Sequence, residues 1–315
     1  MSRENLGIAS LWKVPIAAMA VSFCWGVAGT ALVGDALAAF PGHNGKIAYV
    51  RTSDGRNAIY TMRSDGTHKR RLGRGTDPSF SADGKRIVFS QRRHGSFRSA
   101  IWIMMADGSQ RRRLTHTRES DGGPAFSPSG RRIVFTRQRF QAGDPLGIDI
   151  YKMRADGSGV HRITRTGNSA ARGWSPDGSH ILAEVGSTVT LLKPDGSNAE
   201  PVVEPPPGAF DQGPDLAPSG RRIVFARDYD DPRRLQIYIV RTDGTHLRRI
   251  DNSPAHDQEP VFAPSGGRIA FESDRRRPHG TFEICTMRAD GSNVARLTRA
   301  YPRASAGLPS WGVRP

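Results

Sequence analysis

Cysteine is nearly absent from this 315-residue chain, which holds only Cys24 and Cys285. Removal of Cys24 with a leader would leave no partner for an internal disulfide, so an exported domain would have to be held by its apolar core. Aromatic residues are 8% of the chain, and 30 Asp and Glu face 46 Lys and Arg. No long apolar heptad appears. Catalytic signatures are missing too: the chain has no Gly-x-Ser-x-Gly elbow, His-Glu-x-x-His pair, phosphate-binding Gly-rich loop or metal-spaced cysteine set. These absences lower the expectation of an enzyme without excluding one whose residues are assembled from distant segments.

What is abundant is punctuation. The 35 Gly and 22 Pro are spread along the chain, which favours many short strands with tight turns. The formal charge of +16 would suit an anionic envelope polymer, lipid headgroups or nucleic acid. Much of it recurs beside one kind of turn, as in Gly130-Arg131-Arg132-Ile133 and Gly220-Arg221-Arg222-Ile223. That recurrence points to solvated surface and away from a nucleic-acid groove.

Arg3 and Lys13 precede an apolar, small-residue stretch from Val14 to Gly34, followed by Ala36-Leu37-Ala38. Residues 1–38 are therefore expected to be a signal peptide, with an uncleaved anchor as the alternative, and residues 39–315 an extracytoplasmic domain: secreted, periplasmic or attached to the cell envelope. Membrane association is expected only through a retained leader. Val21-Ser22-Phe23 ahead of Cys24 does not form a lipoprotein box. Cys285 falls where other repeats carry Tyr60, Trp102, Tyr151 and Tyr238, so a buried packing role is expected for it.

Self-comparison shows the organisation. Asp-Gly follows an apolar run six times, at Asp65, Asp107, Asp156, Asp195, Asp243 and Asp290. A second marker alternates with it: Ser81-Ala82-Asp83-Gly84, Ser127-Pro128-Ser129-Gly130, Ser175-Pro176-Asp177-Gly178, Ala217-Pro218-Ser219-Gly220 and Ala263-Pro264-Ser265-Gly266. Each unit reads as four strands. In the third, Ala125-Phe126, Ile133-Val134-Phe135, Ile150-Tyr151-Lys152-Met153 and Arg162-Ile163-Thr164 are separated by turn residues that tolerate positive φ. Such a sheet cannot bury both faces alone, but copies arranged radially cover one another. Lys46-Ile47-Ala48-Tyr49 enters as a second strand, and Leu308-Pro309-Ser310-Trp311-Gly312 supplies the missing first. The expected fold is all-β, a six-bladed β-propeller of four-stranded antiparallel blades closed by the C-terminal strand.

The Pro-x-[Phe/Trp]-Ser-Pro-Asp-Gly opening and Ile-Tyr-x-Met-x-x-Asp-Gly-Ser continuation resemble the TolB-type, WD40-like propeller repeat over roughly residues 45 to 313. The resemblance covers the propeller alone and implies no Tol–Pal role. Blade 4 departs from it, with Arg172 in place of the first-strand Pro and a stiff Glu204-Pro205-Pro206-Pro207-Gly208 connector.

The two ends of such a ring differ. Short Asp-Gly and Ser-Pro-Asp-Gly turns occupy one, where the aspartates form turns. The loops of the other vary in length, which in repeat proteins marks a binding side. That face offers Arg92, Arg93, Phe97 and Arg98 in blade 2, Arg139 and Phe140 in blade 3, and Tyr229 and Arg233 in blade 5. In blade 6 it offers Arg275, Arg276, Arg277 and Phe282. Aromatic–arginine pairing suits a protein or peptide partner. Near the axis, Asp121, Asp211 and Asp257 lie three residues before the strand Pro, while Asp77 and Glu259 immediately precede theirs. These carboxylates are expected at a channel mouth that takes a basic group, with no cofactor unless it is Ca²⁺. His256 beside them is the candidate for proton transfer. The expectation is a monomeric, non-catalytic scaffold for protein or peptide partners. The alternative is a secreted hydrolase or lyase acting on envelope or plant polysaccharide, and adhesion to anionic envelope polymer is a third reading.

Overall fold

In each of the six Asp-Gly turns the aspartate accepts from the residue two positions on: Asp156 Oδ1, for example, takes the Ser158 N–H at 2.8 Å and its hydroxyl at 2.7 Å. Gly157 then turns left-handed at φ 96°, a conformation glycine enters without steric cost. These hairpins, with the Ser-Pro-Asp-Gly type between them, fold the chain into six four-stranded sheets. The computed structural model describes residues 40–93, 95–228, 234–276, 281–299 and 304–315. The expected leader over 1–38 lies outside the described residues, as do Tyr229, Arg233 and Arg277. Among the described residues, no helix is long and apolar enough to cross a membrane.

Blades 2 to 6 run sequentially. Blade 5, for instance, uses Asp211–Leu216, Arg222–Arg227, Gln236–Arg241 and Arg248–Arg249, in that spatial order. Blade 1 is composite: the C-terminal strand Ala304–Val313 pairs antiparallel with Asn44–Ser53, which continues to Arg56–Met62 and Arg70–Arg74. The first strands of successive blades contact one another around the ring, and so line its axis. Closure by the last strand is as expected.

Packing lies between blades. Trp311, Phe80, Phe126, Trp174 and Phe262, the first-strand aromatics, are all buried, as are the second-strand Phe89, Phe135, Phe225 and Phe271. Removing each such ring from water contributes about 2–3 kcal/mol. Cys285 packs with Phe271, Ile239 and Met287, and burial pushes its thiol up to about 12. Outermost strands are short, and several are basic, as in Arg112–Arg113 and Arg248–Arg249. Charged, short edges of this kind discourage pairing with another sheet.

Blade 3 differs from expectation. Its variable segment is not a loop but a continued hairpin, Arg132–Gln141 against Asp144–Arg154, turning at Ala142 (φ 51°) and Gly143 (φ 101°). A two-residue turn with both φ values positive matches strand twist, so Arg137, Arg139 and Phe140 are strand residues.

Candidate functional site

Each first strand bulges just before its Pro position, and there the chain turns left-handed at Asp77, Gly123, Gly213, Glu259 and Leu308. The bulge frees a backbone N–H, and a side chain of the preceding blade takes it in three places. Thr136 Oγ1 accepts from Ala171 at 2.9 Å, Glu184 Oε1 from Gly213 at 2.6 Å, and Glu272 Oε1 from Leu308. Asp215 Oδ2 similarly accepts from Phe262 N–H at 2.6 Å. Polar side chains of second strands, joined by Asp215 of a first strand, thus stitch blade to blade around the axis.

One of the expected axial acids meets a cation from another blade, and a second feels its charge. Arg172, buried in blade 4, donates to Glu184 Oε2 at 2.6 Å and reaches Glu259 Oε2 of blade 6 at 3.8 Å. Its charge also acts on Asp77 of blade 2, whose carboxyl is raised by burial and lowered by Ser90, Thr76, Gly123 and Arg172. The departure of blade 4 from the Pro pattern therefore places a guanidinium of the chain itself among the axial carboxylates.

The other three acids are held within their own blades. Asp121 meets Arg137 in a two-pronged bond of 2.6 and 3.0 Å, and Asp211 meets Arg227 at 2.5 and 2.8 Å. Asp257 meets Arg275 at 2.7 Å. Burial raises Asp211 to about 6, against the pull of Arg227. It raises Asp257 to about 7, opposed by Ser273 and Arg275 and reinforced by Asp251. Among the described residues, no three of His, Cys, Asp and Glu come together as a metal site.

His256 belongs to a relay. Its Nε2 lies 2.9 Å from Gln258 Oε1, and Gln258 Nε2 donates to Glu272 Oε2 at 2.9 Å. Its ring packs edge-on to Phe282 at 5.3 Å. Glu272 is pushed up to about 7 by burial, against the bonds from Gln258 and Leu308. Glu184, Glu272 and Asp215 were not picked out from the sequence. For the two glutamates the signal available was an acid following an apolar second-strand run, as in Ile181-Leu182-Ala183-Glu184 and Ile269-Ala270-Phe271-Glu272.

On the variable-loop face, blades 2 and 3 meet. Phe97 is 54% exposed and lies edge-on to Phe140 at 6.2 Å; Arg98 stacks over the Phe140 ring at 4.4 Å. The loop is anchored through backbone acceptors: Arg93 binds the carbonyls of Thr117 and Glu119, and Arg98 that of Arg118 at 2.6 Å. Phe140 N–H donates to Glu119 Oε2 at 2.8 Å. A cavity of about 350 Å³ lies here, lined by Arg93, Phe97, Arg98 and Arg118 among others. Arg139 is drawn inward to the buried Asp149 at 3.3 Å. Arg92 and Arg276 are exposed, and Phe282 is half-buried.

A ring of such blades, stitched at its axis and variable on one face, is that of a TolB-type propeller. The family profile for the TolB beta propeller domain matches residues 39–236, and the chain belongs to that family. Among solved structures it resembles TolB from Acinetobacter baumannii, at 18% identity and a TM-score of 0.71, covering 86% of this chain and 67% of that one. It also resembles a TolB from Agrobacterium tumefaciens described as putative, at 20% identity and TM-score 0.62, covering 83% and 97%. An oligogalacturonate lyase from Vibrio parahaemolyticus shares the fold at 11% identity and TM-score 0.55, covering 83% and 77%. No curated protein matches the chain by sequence.

Proposed function

We propose that this propeller is an extracytoplasmic, non-catalytic scaffold that captures a protein or peptide partner on its variable-loop face. The carrying observation is the Phe97–Arg98–Phe140 cluster, in which an exposed aromatic ring, a second ring and a stacked guanidinium are held in place by backbone anchors. Rigid aromatic and arginine anchors beside a cavity supply most of the binding energy at protein interfaces. The TolB-like family membership and the signal-like leader in the sequence support the location. The alternative of a polysaccharide hydrolase or lyase draws its support from the fold shared with oligogalacturonate lyase. Its acid–base candidate His256 is already engaged with Gln258 and packed on Phe282, so the scaffold reading is preferred.

The test uses the full chain as bait in an envelope extract, beside a Phe97→Ser/Phe140→Ser double variant and a Val160→Ser control. Val160 is another exposed apolar residue, and it sits in a turn of the opposite face. A partner held by wild type and Val160→Ser, with affinity reduced roughly tenfold or more in the double variant, is expected. Equal recovery by all three forms would reject this face.

A further inference from the structure

A cavity of about 560 Å³ opens on the short-turn face between blades 4 and 5, and its lining includes His180, Glu200, Leu216 and Gly220. At the seam of blades 2 and 3 the chain fills the corresponding place itself. Arg86, on the second strand of blade 2, stacks over Phe126 of blade 3 at 5.0 Å and donates to the Gly130 carbonyl at 3.2 Å. Arg112, on the fourth strand, donates to the Asp156 and Ala155 carbonyls of blade 3 at 3.0 and 3.4 Å. Arg222 of blade 5 likewise covers Phe262 of blade 6, at 5.7 Å.

The register assigns the counterparts at the seam of blades 4 and 5. His180 precedes Ile181 where Arg86 precedes Ile87. Leu216 pairs with Ile223 as Phe126 pairs with Ile133, and Glu200 opposes Leu191 as Arg112 opposes Ile103. Two guanidinium groups and an aromatic ring are thus exchanged for an imidazole, a carboxylate and an isobutyl group, each on a shorter side chain. His180 turns to the Ser179 hydroxyl, 2.8 Å from its Nδ1, and the space left between the blades is the cavity.

The exchange also reverses the charge. In a chain of net charge +16, this lining holds Asp177, Glu200 and Asp243 and no Lys or Arg. Asp177 and Asp243 are committed to their own turns. Glu200 is exposed, and its carboxylate has no partner among the described residues. We propose that this seam is a docking slot for an arginine side chain of a peptide partner, which takes the place that Arg86 and Arg112 fill between blades 2 and 3. Its stem lies along Leu216 and Pro176, and its N–H groups face the Glu200 carboxylate and the Gly220 carbonyl. The slot is on the face opposite the Phe97–Arg98–Phe140 cluster and does not depend on it.

The test titrates the ¹⁵N-labelled full chain with an acetylated, amidated Gly-Arg-Gly peptide and follows the backbone amides by NMR. Saturable shifts are expected at Glu200, Gly220 and Thr242. The same peptide carrying citrulline, neutral and of nearly the same shape, is expected to bind at least roughly tenfold more weakly. Glu200→Gln is expected to weaken the arginine peptide roughly two- to fivefold. Glu200→Arg copies blade 2 at an exposed position, and His180→Arg returns a guanidinium to the cavity; each is expected to abolish the shifts while leaving Tm within about 2 °C. Phe97→Ser/Phe140→Ser is expected to bind the peptide as wild type does. Equal affinity for the citrulline peptide, undiminished binding by both arginine variants, or shifts confined to the axial acids overturns the proposal. Sedimentation without peptide is expected to show a monomer; a dimer dissolved by Glu200→Arg would give the slot to a second copy of the chain and overturn its assignment to a peptide partner.

Discussion

Blades 5 and 1 share a backbone but treat one register position in opposite ways. In blade 5, Asp211 faces Arg227 across the strands, and both are buried, with Arg227 1% exposed. In blade 1, Ala306 faces Arg51, which is only half-buried and lines a cavity. The repeat fixes strand pairing, turn type and apolar packing, whereas the charge at a given place in the repeat is free to change once a blade can expose it or neutralise it otherwise. Individual character therefore collects where blades differ: Arg172 in place of Pro, Ala306 where blades 3, 5 and 6 have Asp, a hairpin for a loop.

The sharpest test of that contrast is to break the closed pair. Arg227→Ala leaves the Asp211 carboxylate buried with no guanidinium, and a severed buried pair costs about 3–5 kcal/mol. Urea unfolding at pH 7.5 is expected to show that loss. The loss is expected to shrink near pH 5, below the Asp211 value of about 6, because the carboxyl then takes up a proton. An unchanged midpoint at both pH values would mean that the pair contributes nothing to the ring.

Stability should carry the signature of the buried acids as a whole. Asp211, Asp257 and Glu272 have folded-state values of about 6, 7 and 7, each raised first by burial. The folded protein therefore holds more protons than the unfolded chain between about pH 4 and 7, and stability falls as pH rises through that window. The turn aspartates act in the opposite sense. Asp177, for example, is lowered to about 2, chiefly by the Ser175 hydrogen bond, so its contribution is present above about pH 4 and lost on acidification. Maximal stability is expected near pH 4 to 5. Glu272→Gln should flatten the decline on the alkaline side by up to about 3 kcal/mol, the linkage equivalent of its shift. Its amide oxygen can still accept from Leu308, and a turned Gln258 amide can meet the new donor. Parallel stability curves for wild type and variant would remove Glu272 from this account.

Much of this molecule was legible in its sequence. Six blades, the closing strand with Trp311, the turn role of the Asp-Gly aspartates and the burial of Cys285 all follow from periodicity, because each depends on local backbone chemistry repeated in register. The axial acids were only half legible. Glu259 does meet Arg172, whose charge also acts on Asp77, but periodicity gives the place of Asp121 and Asp211 without giving their partners. The sequence did hold the clue: Arg137 and Arg227 each follow shortly after the apolar run of the second strand that pairs with the acid. The relay from His256 through Gln258 to Glu272 was beyond reach, since it depends on side-chain direction across two strands.

The smallest expected effect tests the other half of the comparison. Ala306→Asp puts into blade 1 the acid that blade 5 already has, but opposite an arginine that borders open space. Water screens such a pair, and partly exposed pairs contribute about 0–1 kcal/mol. The variant should therefore unfold within about 1 kcal/mol of wild type, in contrast to the several kcal/mol expected when the blade 5 pair is broken. A large gain would show that the blade 1 position is as dry as that of blade 5, and a large loss that its acid cannot reach Arg51. Either result would dissolve the distinction between a pair that holds the ring together and a position left open at its seam.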